Sequence, residues 1–260
     1  MDYLTKTAAG WWRDFLVAAM FLTRLPLPSA HADADAPPSL GAAARAFPLA
    51  GLLIGALGAL ALMIASKFGW HPVVAVLIAL GAIALITGAL HEDGLADVAD
   101  GFGGGRDRTD KLAIMRDSRI GSFGVLALVF AVGLKAAALA GLPGPGVAWA
   151  AMAAAAAMSR AVMAPCMAWM HPARTDGLGH GAGRPDALVA AQALGLGAAA
   201  SVVLLGWGVG LAAVGAAVLA ALAVGRVAAR RFGGYTGDVL GAAQQAAEVS
   251  VLIVVGGMLP

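Results

Sequence analysis

The chain alternates between long apolar runs and short polar breaks, a rhythm set by the thickness of a bilayer rather than by a soluble core. A helix that crosses a membrane needs about 20 mostly apolar residues. Runs of that kind fall at 48–66, 72–90, 124–142, 147–170, 187–205, 211–227 and 243–259. The fifth and sixth are almost continuous and separate at 206–210, Gly-Trp-Gly-Val-Gly, where glycines permit a tight turn and Trp suits an interface. Ahead of them, 11–23 is apolar but punctuated by Arg13 and Asp14, and reads as a short interfacial helix with no cleavable signal. Residues 29–39 form a polar, Pro-containing loop in which His31, Asp33 and Asp35 read as exposed linker. The fold class expected is all-α: a polytopic transmembrane helical bundle of about seven spans plus the short N-terminal helix, in one integral membrane domain over 1–260.

Composition strengthens that reading. Of 260 residues, 60% are hydrophobic and 12% charged, with a mean hydropathy of +0.84. Soluble domains carry about 25% charged residues, so this chain has too little polar surface to cover a water-soluble globule. Gly and Ala abound, and Gly51 and Gly55 form a GxxxG pair that lets helices approach closely in lipid. Such faces also accommodate a homo-oligomer. The single cysteine, Cys166, excludes an intrachain disulfide and a thiolate zinc cluster.

Charge fixes an expected orientation. The pI near 9.0 comes from basic residues scattered through short loops, with no basic stripe, so nucleic acid is not an expected partner. With the N-terminus inside, only Lys67 lies outside, while Lys135 and Arg160 fall within spans, which leaves 14 of the 17 Lys and Arg on the cytoplasmic side. That asymmetry predicts a multi-pass protein with the N-terminus in and the polar segment 91–123 as a cytoplasmic loop.

Seven of the fifteen acidic residues lie between His91 and Ser118. Asp93, Asp97 and Asp100 are spaced i, i+4, i+7 and share one face of a helix. One turn apart, two carboxylates at an effective dielectric near 20 repel by roughly 3 kcal/mol. Hard oxygen donors so crowded suit Mg²⁺ or Mn²⁺, which keep waters and recruit phosphate oxygens. Gly101–Gly105 reads as a flexible turn whose N–H groups, at Gly103 and Gly104 among them, approach phosphate. Arg106, Arg108, Lys111, Arg116 and Arg119 follow and suit anionic oxygens. Thr109 or Asp110 is expected to cap a short helix through Met115. Acids for a metal, glycines for close approach and bases for phosphate together point to phosphoryl transfer.

A second polar group comprises 233–238 (Gly-Gly-Tyr-Thr-Gly-Asp), then Gln244, Gln245 and Glu248. Glu248 lies in the last apolar run, where an ionisable side chain costs several kcal/mol unless paired or hydrated; it is either functional or the partner of Arg160 or Lys135. Lys135 is expected to snorkel. The loop 171–186, with His171, Arg174, Asp176, His180 and Arg184, reads as a connection with a substrate-binding role left open.

These blocks resemble a known family. HEDGLADVADGFGGGRDRTDKLAIMRDSRIGSFG (91–124) is similar to the signature of the cobalamin synthases, the adenosylcobinamide-GDP ribazoletransferases. FLTRLPLP (21–28), RAFPLAGLLIGAL (45–57), MSRAVMAP (158–165) and GGYTGDVLGAAQQAAE (233–248) resemble that family's other blocks in order, so the likeness covers nearly the whole chain. It implies a Mg²⁺-dependent transfer from adenosylcobinamide-GDP to α-ribazole or its 5′-phosphate, releasing GMP. On that reading Asp93, Asp97 and Asp100 hold the metal, Asp117 and Asp238 are further candidates for metal or general base, and Arg116, Arg119 and Arg160 contact phosphates. Two other classes compete. A CDP-alcohol phosphotransferase also spaces Asp along membrane helices, but position 96–97 here lacks the Arg of its pattern. A transporter would route ions past Glu248, Arg160 and Lys135, yet no internal repeat is evident.

Overall fold

The structure is a computed structural model and describes residues 2–28, 39–175 and 181–259. The linker residues His31, Asp33 and Asp35, and Asp176 and His180 of the later loop, lie outside the described residues. In chain order the helices are α1 (Asp2–Leu22), α2 (Leu40–Ala43) with a 3-10 turn (Ala44–Ala46), α3 (Phe47–Ser66), α4 (Pro72–Thr87), α5 (Leu90–Gly104), α6 (Arg108–Ile114), α7 (Ser122–Ala140), α8 (Pro145–Ala161), α9 (Met163–Trp169), α10 (Ala187–Leu205), α11 (Trp207–Arg231) and α12 (Gly237–Met258).

Six helical stretches are long and apolar enough to cross a membrane, and the pair α4/α5, bent by 92°, raises the number to seven. α4 supplies the apolar part of that seventh span. α5, with four carboxylates, turns away from it and is read as lying outside the span. The expected bundle of about seven spans is therefore present, with edges that differ for identifiable reasons. The run predicted to continue through Leu90 stops at Thr87, because Gly88 (φ 64°) and Ala89 (φ 55°) both take left-handed backbone. Gly adopts that region freely, whereas Ala does so at roughly 1–2 kcal/mol. Arg24 holds the elbow: its N–H donates to the Ile86 carbonyl at 2.7 Å, and its guanidinium lies where a β-carbon on Gly88 would stand. The N-terminal helix is longer than expected, 21 residues. It accommodates Asp14, almost fully buried, by pairing it with Arg45 at 2.6 Å.

The 206–210 turn shrinks to Gly206 alone (φ 78°), and α11 starts at Trp207. Gly210 then packs against α10 so closely that a β-carbon would sit 2.6 Å from Val202 Cα. The predicted 147–170 run is two helices, broken at Val162. The acidic segment expected to be a loop is mostly helix, and Gly101–Gly104 continue α5 instead of forming a flexible turn. Asp107, rather than Thr109 or Asp110, caps α6 by accepting from Asp110 N at 2.9 Å.

The centre of the bundle is α3 against α8. A β-carbon on Gly51 would come 2.3 Å from the Ala156 carbonyl oxygen, and one on Gly55 2.7 Å from Ala153 Cα. The GxxxG pair thus meets an alanine-rich face, and the two backbones come together without side chains between them.

Candidate functional site

The two polar groups, about 140 residues apart in sequence, meet at one end of the bundle. The contact is Gly94 on α5 against the start of α12, where a β-carbon would lie 2.8 Å from the Asp238 carbonyl oxygen and 3.0 Å from its Cα. Asp93 and Asp97, on either side of Gly94, therefore face Asp238. Thr236 caps α12 by accepting from Val239 N at 3.2 Å and donates its hydroxyl proton to Asp238 Oδ2 at 3.1 Å. The Asp97 carboxyl is pushed up to about 7, first by burial, then by the charges of Asp238, Asp93 and Asp100. Four carboxylates at close quarters hold an excess of negative charge that a proton or a cation relieves. Among the described residues no three acidic, His or Cys side chains already stand at ion-holding spacing.

Arginines form the facing side. Arg174 Nη1 lies 3.9 Å from Asp238 Oδ2, and its Nη2 donates to the Leu112 carbonyl at 2.8 Å. Arg108 donates to the Ala173 carbonyl at 3.0 Å. The 171–175 segment is tied to α12's approach by Tyr235 N to His171 O at 2.9 Å and Ala173 N to Tyr235 O at 2.8 Å. Arg108, Arg116 and Arg174 together line an open depression of about 460 Å³. Such guanidiniums suit anionic oxygens.

Other expected site residues take different positions. Both Asp100 oxygens are engaged, accepting from Gly121 N at 2.7 Å and Gly124 N at 2.9 Å, so this carboxylate caps α7. Asp117 and Arg119 pair with each other on an exposed turn, and the guanidinium holds the Asp117 carboxyl below its usual value. Gly103 packs on the Phe123 ring and Gly104 approaches Ile114, with no cradle formed at either. Lys111 is buried and donates to the carbonyls of Gly101, Phe102 and Gly105, closing the end of α5.

Arg160 is 1% exposed and belongs to a buried network inside the bundle. Its Nη1 lies 3.5 Å from Glu248, and Lys135 lies 3.4 Å from Glu248 and 3.8 Å from Glu92. Gln245 bridges Lys135 (2.9 Å) and Glu92 (3.0 Å), and Gln244 donates to Ser159 at 2.8 Å. Two cations thus meet two carboxylates, which resolves Glu248 as the partner of both Lys135 and Arg160. Lys135 does not snorkel. Arg174 and His91 are the site residues that the sequence underplayed: Arg174 was one of several basic loop residues, and nothing in the spacing marked His91.

Beside the acidic group lies a cleft of about 210 Å³ whose lining includes Asp93, Asp238, Arg174 and His91 on the polar side, with Phe47 and Met163 on the apolar side. The fold and this site define a polytopic helical membrane protein with an acidic, arginine-fringed cleft at one end of the bundle.

The chain belongs to the cobalamin-5-phosphate synthase family, whose model matches residues 14–256. It is 45% identical to the adenosylcobinamide-GDP ribazoletransferase of Bradyrhizobium diazoefficiens over 250 residues, 96% of this chain and 95% of that protein. The enzyme of the same name from Azorhizobium caulinodans is 46% identical over 247 residues, 92% and 94% of the two chains. That of Ralstonia nicotianae is 45% identical over 248 residues, 92% and 93% of the two. No solved structure matches the chain.

Proposed function

We propose that this protein transfers the phosphocobinamide moiety of adenosylcobinamide-GDP to α-ribazole or its 5′-phosphate, releasing GMP. A ribose hydroxyl oxygen of the acceptor bonds to the phosphorus attached to the corrinoid arm. The bond from that phosphorus to the GMP oxygen breaks, and the hydroxyl proton passes to a carboxylate. The observation that carries the reading is the meeting of Asp93 and Asp97 with Asp238 across the Gly94 contact, beside the depression lined by Arg108, Arg116 and Arg174.

The same carboxylates suit Mg²⁺, which takes one or two carboxylates and completes its shell with waters and substrate phosphates. The charge crowding that pushes Asp97 up to about 7 supports that donor set, so Asp93 and Asp97 would hold the ion. When bound, Mg²⁺ neutralises phosphate charge as it develops. Asp238, with Thr236 on Oδ2, is positioned to take the acceptor proton. Arg108, Arg116 and Arg174 stabilise phosphate oxygens. Asp100 contributes by fixing α7 against α5. The distribution of Lys and Arg supports an inner-membrane setting with this end of the bundle in the cytoplasm.

The test is the purified protein with corrinoid-GDP and ribazole, with Mg²⁺ or with chelator, followed by mass analysis. Joined product and GMP with Mg²⁺ alone are expected. Full turnover in chelator removes the metal assignment, and absence of joined product removes the reaction.

A further inference from the structure

Asp93 and Asp97 lie on a stretch of α5 that is held at both ends. At the far end Asp100 accepts from Gly121 N at 2.7 Å and Gly124 N at 2.9 Å, tying α5 to α7. At the near end Gln245 of α12 donates to Glu92 Oε1 at 3.0 Å and accepts from Lys135 of α7 at 2.9 Å. Between these anchors α5 crosses α12 on glycine: a β-carbon on Gly241 would come 3.2 Å from His91 Cα and 3.4 Å from Gly94 Cα. Surfaces without side chains let two helices approach closely, but offer no knob to set how one slides or turns on the other. Among the described residues α5 and α12 share one side-chain hydrogen bond, the one from Gln245 to Glu92. Gln245 is 2% exposed, so little water competes for that bond. It stands seven residues beyond Asp238, which puts the two side chains on one face of α12.

Resting on the transfer reading above, we infer that Gln245 is a positioning residue for the reaction: through Glu92 it fixes the rotation of α5, and with it the aim of Asp93 and Asp97 at Asp238. Consecutive helix positions point about 100° apart, so Glu92 reaches the buried Lys135 while Asp93 lines the cleft. A turn of α5 by a fraction of that angle carries Asp93 and Asp97 off together, because both ride on the same backbone. A hydrogen bond to a carboxylate in a water-poor interior is of the stronger kind, which suits it to holding a helix that its own glycine contact leaves free to turn. Gln245 touches neither the acceptor nor the phosphates. Its effect passes through α5 alone.

A double-mutant cycle tests this, with Gln245→Met placed in the wild type, in Glu92→Leu and in Glu92→Gln. Met keeps the length of Gln, and Lys135 retains Glu248 and Glu92 as partners. Two measurements on purified protein in detergent complete separate cycles. One is Mn²⁺ affinity without substrate, from the electron paramagnetic resonance of free Mn²⁺, and the other is kcat for GMP release. In the wild type Gln245→Met is expected to weaken each about tenfold, since a misplacement of about 1 Å costs up to about 10²-fold, with the KM for corrinoid-GDP unchanged. In Glu92→Gln, which still accepts from Gln245, the same loss is expected. In Glu92→Leu, where no bond remains to break, Gln245→Met is expected to add nothing. Comparison within each background cancels the stability that Glu92→Leu loses by orphaning a cation, and elution at the wild-type volume separates the effects from misfolding. Gln245→Met that is silent in the wild type overturns the inference whether or not Glu92→Leu folds, and so does an equal cost in Glu92→Leu; either leaves the transfer reading intact. The full pattern in Mn²⁺ affinity from a protein that forms no joined product retains the positioning role and discards the reaction.

Discussion

Gly94 has no room for a side chain because Asp238 stands against it, backbone to backbone, with 2.8 Å between the Asp238 carbonyl oxygen and the place a β-carbon would occupy. Backbone atoms cannot rotate aside, so Gly94→Ala must part α5 from α12. Overpacking of this kind costs typically 1–3 kcal/mol, and a shift of about 1 Å at reacting groups costs on the order of 10²-fold in rate. The variant is expected in membranes at near wild-type amounts by immunoblot, with GMP release reduced by about two orders of magnitude. Wild-type turnover would show that the two acidic groups do not act together.

On the proposed reading Asp97 supplies the pH dependence. Its folded pKa, about 7, lies above the value of about 3.9 for an unfolded Asp. The folded protein therefore binds this proton more tightly, and its stability falls as pH rises from the unfolded value through 7. A divalent cation competes with the proton. On the proposed reading, turnover rises with pH through an acid limb near 7, and the limb moves to lower pH as Mg²⁺ is increased. A limb that stays in place at every Mg²⁺ concentration would remove Asp97 from the metal. Asp97→Asn is expected to lower turnover by about 10²–10³-fold while membrane expression persists.

Glu248 balances two buried cations, Lys135 at 3.4 Å and Arg160 at 3.5 Å. Removing one partner of a buried pair costs roughly 3–5 kcal/mol because the remaining charge stays uncompensated. Glu248→Gln is expected to lower the melting temperature in detergent and the yield from membranes. Adding Lys135→Met to that variant removes one orphaned charge, and recovery of part of the lost stability is expected. A melting temperature unchanged by Glu248→Gln would show that the network carries no stability.

Gly51→Leu tests the centre of the bundle. Its β-carbon would meet the Ala156 carbonyl at 2.3 Å, so α3 and α8 must separate. Loss of the folded protein is expected, read as aggregation on size exclusion, whereas Leu at Gly133, with no atom within 4 Å of its β-carbon position, should be tolerated.

The spans were legible because bilayer thickness writes itself into apolar run length, and the i, i+4, i+7 aspartates because a helix imposes that spacing. Periodicity could not divide their work. Asp93 and Asp97 face Asp238, while Asp100 points to the N–H groups of Gly121 and Gly124, a difference set by tertiary packing alone. Gly101–Gly105 has the composition of a flexible turn, yet Lys111 gathers the carbonyls at the end of α5 and holds a weak helix in place through Gly104. Arg160 resembled a phosphate ligand in sequence, and only the position of Glu248 shows its partner. His91 was invisible because what distinguishes it is the lack of hydrogen-bond partners, which a sequence does not record.

The Gly94 contact also has a consequence for biogenesis. The acids of α5 leave the ribosome roughly 140 residues ahead of Asp238, which at about 5–20 residues per second is on the order of ten seconds. During that interval the nascent chain carries Asp93 and Asp97 without the helix that completes their surroundings. On the proposed reading activity is withheld until α12 has inserted, and a chain stalled before that point is inert, whatever the state of its other spans.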